Sequence, residues 1–419
     1  MKPETTGMSS TRLARLDEVL RHRYVDGGYL PGTVIYVYRR GQLVHAGICG
    51  RMDVERCMPM REDTIVRIFS MTKPITVVAF LTLVEEALID LDDPVHHYIP
   101  AWKDLGVCAS GVPSVEAEAP VSFDTTRTLR PMKVIDLLTH TSGLTSGFPA
   151  RTAVDAAYRK ARIADCQTSG GLPEMIEQLA RIPLDFSPGT AWNYSVSIDV
   201  LGYLIEKLSG MGFGEFLRTR LFEPLGMSDT AFWVPPDKTG RFASCYVPGN
   251  IGVRCLVLQD DARASTYYSK PPRLEGGGAG LVSTAHDYMR FCRMLLNGGT
   301  LDGVQILSPK TVALFSLNHL PDGRELPDMA LPGLFGGPTY AGVGFSLGCG
   351  VNVDIAKRRQ PGSPGQYFWG SATGSAFWID PMEELAVVFM SQVIFGEAHK
   401  RLRRDLRTLV YSAITQSFT

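Results

Sequence analysis

The sequence predicts an α/β protein of the α+β type, with an antiparallel sheet built from both ends of the chain. Strand-like runs occur near the N-terminus and again towards the C-terminus, whereas helical patterns fill the middle. At 419 residues the chain is long enough for two domains. We expect residues 1–75 and 275–419 to form an α/β domain flanked by terminal helices, and residues 76–274 to form a mainly helical inserted domain.

Composition argues against several functional classes. Charged residues make up 20% of the chain and the formal net charge is -1, so no basic surplus exists to neutralise phosphates. No apolar run is long enough to span a bilayer, and the N-terminus lacks the apolar core of a signal peptide. The eight cysteines are scattered without a C-x-x-C pair, which predicts reduced and mostly buried thiols. We therefore predict a cytoplasmic protein without structural metal, cofactor, nucleic-acid or membrane partner, of open oligomeric state.

The spacing of apolar residues near the N-terminus is first that of a helix and then that of strands. Leu13 and Leu16 fall at helical spacing after the cap candidate Ser9, which predicts an opening amphipathic helix. Residues 33–38 and 43–47 then read as strands on either side of a glycine turn. These runs predict an antiparallel hairpin.

Apolar residues at helical spacing predict a further helix over residues 70–89. Positions i and i+3 share a helix face, so the amine of Lys73 can lie beside the hydroxyl of Ser70 and take its proton. The free N–H groups and the dipole of that helix start favour negative charge at the serine. This is the arrangement of an activated nucleophile, although S-x-x-K is too short to be diagnostic alone.

The rest of the chain predicts more helices than strands. Helical patterns cover residues 134–144, 173–180, 198–208 and 285–296, with a final helix carrying Leu402, Leu406, Leu409 and Ala413. Strand patterns cover residues 343–348, 375–380 and 385–390. Residues 105–130 and 236–275 are expected to be irregular. We interpret His140 as a structural hydrogen-bonding residue and the basic residues of 400–404 as a solvated flank.

Four segments occur in the order found in class C β-lactamases and their esterase relatives. They are Ser70-Met71-Thr72-Lys73, residues 137–144 (LLTHTSGL), Tyr194-Ser195-Val196 and residues 278–285 (GAGLVSTA). The resemblance covers nearly the whole chain and implies a β-lactamase or penicillin-binding-protein fold with a serine acyl-enzyme. Tyr194 matches the tyrosine of the family's Y-x-N motif and would move protons together with Lys73. Because Ser70, Lys73 and Tyr194 would titrate as a coupled set, the resting position of the proton stays open.

Two departures from the family pattern concern the substrate. Val196 replaces the asparagine of Y-x-N, so one polar contact to an amide-bearing substrate is missing. The K-T-G strand is most plausibly replaced by Trp369, Gly370 and Ser371, which exchanges a cation for an aromatic wall with one N–H donor. Simple packing is the alternative role for Trp369. We expect these four residues to line a site for a neutral ester with a modest acyl chain.

The departures make the chain more similar to the family VIII carboxylesterases than to the β-lactamases. By analogy, the backbone N–H groups of Ser70 and Ala372 would form the oxyanion hole. The predicted function is therefore a serine carboxylesterase for short to medium acyl esters, with weak β-lactam hydrolysis left open. β-Lactamase, D-amino-acid peptidase and acyltransferase activity remain alternatives on the same scaffold, because all share the acyl-enzyme. A non-catalytic binding protein is a fourth alternative.

Two other motifs compete with this interpretation. Lys238, Thr239 and Gly240 spell K-T-G, but they lie in a Pro-rich stretch that no predicted strand follows. Residues 344–348 (GFSLG) match the G-x-S-x-G motif around Ser346, and Asp380 and His399 follow in the order of α/β-hydrolases. A nucleophile elbow needs a strand before the serine and a helix after it. Residues 349–354 instead read as continuing strand, which disfavours Ser346 as the nucleophile.

Overall fold

The computed structural model describes residues 2–109, 123–148, 150–165, 170–249, 255–333 and 335–418. The strands are β1 (Gly32–Arg39), β2 (Gln42–Asp53), β3 (Met58–Pro59), β4 (Val66–Arg67), β5 (Val107–Cys108), β6 (Thr125–Thr126), β7 (Cys245–Pro248), β8 (Leu256–Asp260), β9 (Val282–Ser283), β10 (Thr300–Leu301), β11 (Val304–Gln305), β12 (Val343–Phe345), β13 (Gly350–Asn352), β14 (Tyr367–Gly370), β15 (Ala376–Asp380) and β16 (Leu385–Met390). The α-helices are α1 (Ser10–Val19), α2 (Thr72–Glu85), α3 (Val134–Leu138), α4 (Ala153–Lys160), α5 (Leu172–Leu179), α6 (Ser197–Ser209), α7 (Phe213–Leu217), α8 (Glu223–Leu225), α9 (Ala285–Leu296), α10 (Pro309–Ser316), α11 (Leu326–Met329), α12 (Ile355–Arg358) and α13 (His399–Ser412).

The main sheet has eight strands, and it joins the two ends of the chain. Its order is β12-β13-β14-β15-β16-β1-β2-β3, with antiparallel pairing throughout. In the pairing of β1 with β16, Val37 lies opposite Val387, and both are fully buried. Such β-branched residues fit a pleated surface that is covered on both faces. The predicted α/β fold with a large antiparallel sheet is confirmed.

Helices cover the sheet and also pack among themselves. Helix α9 packs against β1, β15 and β16, while α1 packs against α13 and β2. In the middle of the chain α6 contacts α2, α3, α5 and α7. Helix α2 is buried almost all round, from Thr72 to Leu83, so it is an interior helix rather than one with a single apolar face. The division at residues 75 and 275 stays a prediction.

Several predicted elements are confirmed, and their ends have local causes. Helix α1 begins where the Ser9 hydroxyl accepts a hydrogen bond from the Arg12 N–H at 3.3 Å. Helix α9 begins in the same way, at the Thr284 hydroxyl and the Asp287 N–H, 3.1 Å apart. The β1–β2 hairpin, α5, α6, β15, β16 and α13 also form where the sequence predicts them.

Other predictions were wrong in detail. Strands β7 and β8 pair within the stretch that was expected to be irregular, because alternation over four or five residues is too short to stand out. Helix α4 was missed as well, although Thr152 caps it through the Asp155 N–H at 3.2 Å. In the predicted loop 105–130, β5 pairs with β6, and residues 110–122 lie outside the described residues.

The basic run at the start of α13 is not one solvated flank. Arg401 and Arg404 are exposed, but Arg403 is half-buried and Arg407 is 5% exposed. Residues 403 and 407 are one turn apart and face the sheet, where the Arg407 guanidinium lies 4.4 Å from the ring centroid of Phe368. The side of α13 that packs on the sheet therefore carries positive charge into the interior.

The cysteines only partly follow the prediction. The seven within the described residues form no disulfide with one another, but only Cys245, Cys292 and Cys349 are buried, while Cys57 and Cys255 are exposed. Cys166 lies outside the described residues.

Within the described part of the chain, no helix has the length and apolar character needed to cross a membrane.

Candidate active site

Ser70 lies in a single turn of 3-10 helix, Phe69–Met71, that joins β4 to the start of α2. Phe69, directly before the serine, has φ +40, a conformation that bulky L-residues rarely adopt. Such strain persists where the surroundings impose it and is found preferentially at functional sites. The turn leaves Ser70 half-buried at the end of a buried helix. The predicted helix start is therefore shifted to Thr72, with the serine just before it.

Tyr194 is the hydrogen-bonding partner of Ser70. Its phenol oxygen donates to the serine Oγ at 2.7 Å, across 124 residues of sequence. Two backbone bonds fix the segment around it: the Asn193 N–H donates to the His140 carbonyl at 3.0 Å, and the Val196 N–H donates to the Thr145 carbonyl at 3.2 Å. The segment after α3, which carried part of the family resemblance, thus holds the tyrosine in place.

Lys73 is 4% exposed, and its amine is directed to partners other than the Ser70 hydroxyl beside which it was predicted to lie. Its amine donates to the Gly278 carbonyl at 2.6 Å and lies 4.3 Å from the centroid of the Tyr194 ring. Within the described residues no hydrogen bond joins the lysine amine to the Ser70 hydroxyl. The three residues are brought together: the tyrosine is hydrogen-bonded to the serine, and its ring packs against the lysine amine.

Asp199 completes this network and was not singled out from the sequence. Its Oδ1 accepts a hydrogen bond from the Gly278 N–H at 2.9 Å, while the carbonyl of the same glycine accepts from Lys73. A Cβ at position 278 would lie 2.6 Å from the carboxylate, so only glycine allows this approach. Burial raises the pKa of Asp199, and the positive charge of Lys73 opposes that shift. A carboxyl group five residues after the tyrosine, in the first turn of α6 and followed by a run of mostly apolar residues, was the available signal.

His140 has the structural role that the sequence suggested. Its Nδ1 lies 3.0 Å from the Ser195 Oγ, and its ring packs 4.9 Å from that of Tyr194. Burial, assisted by the charge of Lys73, holds the pKa of His140 well below its usual range. A neutral imidazole therefore packs against the tyrosine ring.

Trp369 forms an aromatic wall beside the tyrosine. It lies on β14, which packs against the Ser70 turn, and its ring centroid is 5.8 Å from that of Tyr194. Phe335 stacks on Trp369 at 5.6 Å with an interplanar angle of 6°. No cationic side chain stands at this position of the strand, and the tryptophan is only 6% exposed. Val196 is also buried, at the start of α6.

The turn after β14 contains the remaining predicted residues. Gly370 ends the strand. The Ser371 hydroxyl is hydrogen-bonded to that of Thr373 at 2.8 Å and therefore points into the protein interior. Ala372 follows, and within the described residues no atom accepts a hydrogen bond from its N–H. An N–H group without an acceptor, next to the strand that flanks Ser70, is available to a substrate oxygen.

Within the described residues, neither competing motif shares a hydrogen bond with Ser70, Lys73 or Tyr194. Lys238 forms an ion pair with Asp229 at 2.8 Å in a surface 3-10 helix. Ser346 is fully buried in the turn between β12 and β13, with its hydroxyl donating to the Cys349 carbonyl at 3.1 Å. The chain reverses there into an antiparallel strand instead of entering a helix, so the strand and helix that a nucleophile elbow needs do not flank Ser346.

Comparison with known proteins finds relatives along nearly the whole chain. The family model described as Beta-lactamase matches residues 17–411. Protein Rv1367c of Mycobacterium tuberculosis (strain ATCC 25618 / H37Rv) is 34% identical over 373 residues, which cover 88% of this chain and 87% of that protein. Esterase EstB of Burkholderia gladioli is 28% identical over 413 residues, which cover 95% and 94%.

Among solved structures, the chain is similar to EstCE1, a hydrolase with promiscuous acyltransferase activity, with a TM-score of 0.76 and 25% identity. The match covers 96% of this chain and 99% of that one. A family model over almost the whole length and a relative above 30% identity lead to one assignment. The chain belongs to the β-lactamase family of serine hydrolases.

Proposed function

We propose that the protein is a serine carboxylesterase that hydrolyses short to medium acyl esters through an acyl-enzyme on Ser70. The observation that carries the proposal is the hydrogen bond between Tyr194 and Ser70 at 2.7 Å, with the Lys73 amine 4.3 Å from the tyrosine ring. A nucleophile hydrogen-bonded to a group that can carry its proton, with a third group supporting that carrier, is the general arrangement for covalent catalysis.

In the proposed mechanism, the Ser70 oxygen attacks the ester carbonyl while its proton passes to the Tyr194 oxygen. The phenol of Tyr194, which donates to Ser70 in the structure, must give up its own proton before this step, and the amine of Lys73 beside its ring is the group proposed to assist that transfer. The N–H groups of Ser70 and Ala372 bind the oxyanion of the tetrahedral intermediate. Collapse of the intermediate returns the proton to the leaving alcohol and leaves an acyl-serine, which water then hydrolyses with Tyr194 as base.

The preference for neutral esters rests on Trp369. The stacked pair with Phe335 presents apolar surface where a lysine would attract the carboxylate of a β-lactam or a peptide. The similarity to EstB, which is named an esterase, supports the same substrate class. We propose that these aromatic rings contact the substrate, with Gly370 and Ser371 forming the adjoining edge and Val196 packing beneath them.

The test compares turnover of nitrophenyl butyrate with turnover of a cephalosporin by the wild type, Ser70→Ala and Ser346→Ala. We expect ester turnover by the wild type and by Ser346→Ala, and none by Ser70→Ala, with all three folded by circular dichroism. Strongly preferred cephalosporin hydrolysis would make the protein a β-lactamase instead. Loss of activity only in Ser346→Ala would overturn the assignment of the nucleophile.

Acyl transfer to an alcohol is the second candidate, because EstCE1 is described as a hydrolase with promiscuous acyltransferase activity. Transfer and hydrolysis share the acyl-serine and differ only in which hydroxyl attacks it. Adding an alcohol acceptor to the nitrophenyl butyrate assay separates them. A new butyrate ester identifies transfer, whereas release of butyrate alone identifies hydrolysis.

A further inference from the structure

Arg403 on α13 approaches the turn that carries Ala372. Its Nη2 donates to the Ser371 carbonyl at 3.0 Å. A Cβ added at Gly370 would lie 2.5 Å from the same nitrogen, so the guanidinium fills the space that a side chain at position 370 would need. The glycine at the end of β14 thus allows a cation to reach the backbone of the turn.

The carbonyl that Arg403 binds belongs to the same peptide unit as the Ala372 N–H. A trans peptide is planar, and its C=O and N–H point in opposite directions. Fixing the direction of the Ser371 carbonyl therefore fixes the direction of the Ala372 N–H. A positive charge at the oxygen also polarises the unit, which makes the N–H a stronger donor at its far end.

The rest of the turn is held on its other atoms. The Gly374 N–H also donates to the Ser371 carbonyl at 3.2 Å, and the Phe395 N–H donates to the Ala372 carbonyl at 2.8 Å. The Ser371 N–H donates to the Ser375 carbonyl at 2.8 Å. The Ala372 N–H is left directed out of this network, with no acceptor within the described residues.

The environment of Arg403 is unfavourable for a residue that only stabilises the fold. It forms no ion pair with a carboxylate within the described residues, and its enclosed Nε has no hydrogen-bond partner there. Burial lowers the pKa of its guanidinium. Placing a charge in such surroundings costs stability when its only acceptor is a neutral carbonyl.

We propose that Arg403 is a positioning residue for the oxyanion hole: it orients and polarises the Ser371–Ala372 peptide so that the Ala372 N–H meets the oxyanion formed when Ser70 attacks. The proposal rests on the proposed function, because it needs acyl transfer at Ser70, but it does not depend on which acyl compound is the substrate. Arg403 itself does not touch the substrate.

The test uses Arg403→Met, which keeps an unbranched apolar stem and removes the charge and the donors, and Arg403→Lys, which keeps the charge. Arg404→Met, on the exposed side of the same helix, is the matched control. Two rates are measured for each: steady-state turnover of nitrophenyl butyrate, and covalent labelling of Ser70 by a fluorophosphonate. The second reaction also places negative charge in the oxyanion hole but requires no esterase activity.

Removing one oxyanion-hole donor lowers kcat by about 10²–10³-fold. Because Arg403→Met only releases the donor, we expect a smaller loss of roughly tenfold in kcat. KM should stay within about twofold, since the oxyanion forms only in the transition state. Labelling should slow by the same factor as kcat, with Arg403→Lys intermediate and Arg404→Met equal to the wild type.

Several results overturn the proposal. Arg403→Met with wild-type labelling and kcat refutes it, and so does a rise in KM with unchanged kcat. If circular dichroism shows that Arg403→Met is unfolded, the rates of Arg403→Lys decide whether the proposal holds. Wild-type rates for Arg403→Lys would then indicate that Arg403 is a purely structural residue. A wild type that is labelled at Ser70 but does not turn over esters refutes the proposed function alone.

Discussion

Replacing Tyr194 by phenylalanine tests the central hydrogen bond of the site. The change removes the hydroxyl that lies 2.7 Å from the Ser70 Oγ and keeps the ring that packs against His140 and Trp369. A positioned acid or base contributes about 10²–10⁴-fold to a rate, which corresponds to about 3 to 5 kcal/mol of transition-state stabilisation. We therefore expect kcat for nitrophenyl butyrate to fall by that factor.

The fold should change far less than the rate. A single lost hydrogen bond contributes about 0.5–1.5 kcal/mol to stability, and the aromatic packing is retained. Denaturant unfolding of Tyr194→Phe should therefore stay within about 1.5 kcal/mol of the wild type. Tyr203→Phe, further along α6, is the matched control and should leave both kcat and stability near wild type. A Tyr194→Phe enzyme with kcat within tenfold of the wild type would refute the assignment of Tyr194 as proton carrier.

Three other changes probe neighbouring features. Asp199→Asn should lower kcat for nitrophenyl butyrate, because the buried Lys73 amine loses the negative charge beside it; an unchanged kcat contradicts this. Burial lowers the pKa of His399 from 6.5 to about 4. As pH falls across that range, the unfolded chain takes up a proton that the folded protein does not, so the free energy of unfolding falls by about 3 kcal/mol. His399→Gln should flatten this part of the pH dependence in denaturant unfolding, and an unchanged slope counts against it. Arg39→Met removes the cation that lies 2.5 Å from the buried Glu383 carboxylate and should destabilise the fold by about 3–5 kcal/mol at unchanged kcat. Denaturant unfolding equal to that of the wild type would contradict this.

The sequence allowed the fold class and the nucleophile region to be predicted because both depend on local pattern. Helical spacing after Ser70 marked α2, and short apolar runs rich in β-branched and aromatic residues marked β1 and β16. The order of motifs then linked Tyr194 to the serine, although 124 residues separate them. The spacing of apolar residues could not show that the serine lies in a strained turn before the helix. The φ of +40 at Phe69 is imposed by tertiary contacts, which leave no pattern in the sequence.

The supporting polar residues were missed for a physical reason. Asp199 and Gly278 are 79 residues apart, and Arg403 and Ser371 are 32 apart, so neither contact leaves a periodic signal. Arg403 even lies in a basic run, which is typical of solvated helix faces. Its burial depends on the approach of α13 to β14 and on the missing side chain of Gly370, and both are properties of the tertiary structure.

The pairing of β1 with β16 also determines when the protein can fold. Val34 lies opposite Met390, so the two halves of the sheet meet only after almost the whole chain has left the ribosome. Until then the edge of β1 that later pairs with β16 has unpaired backbone N–H and C=O groups, and the strand itself is apolar. Such an edge is a template for pairing with another chain. Contacts of such long sequence separation also slow folding. Nascent chains of this protein are therefore expected to need protection from aggregation until β16 emerges.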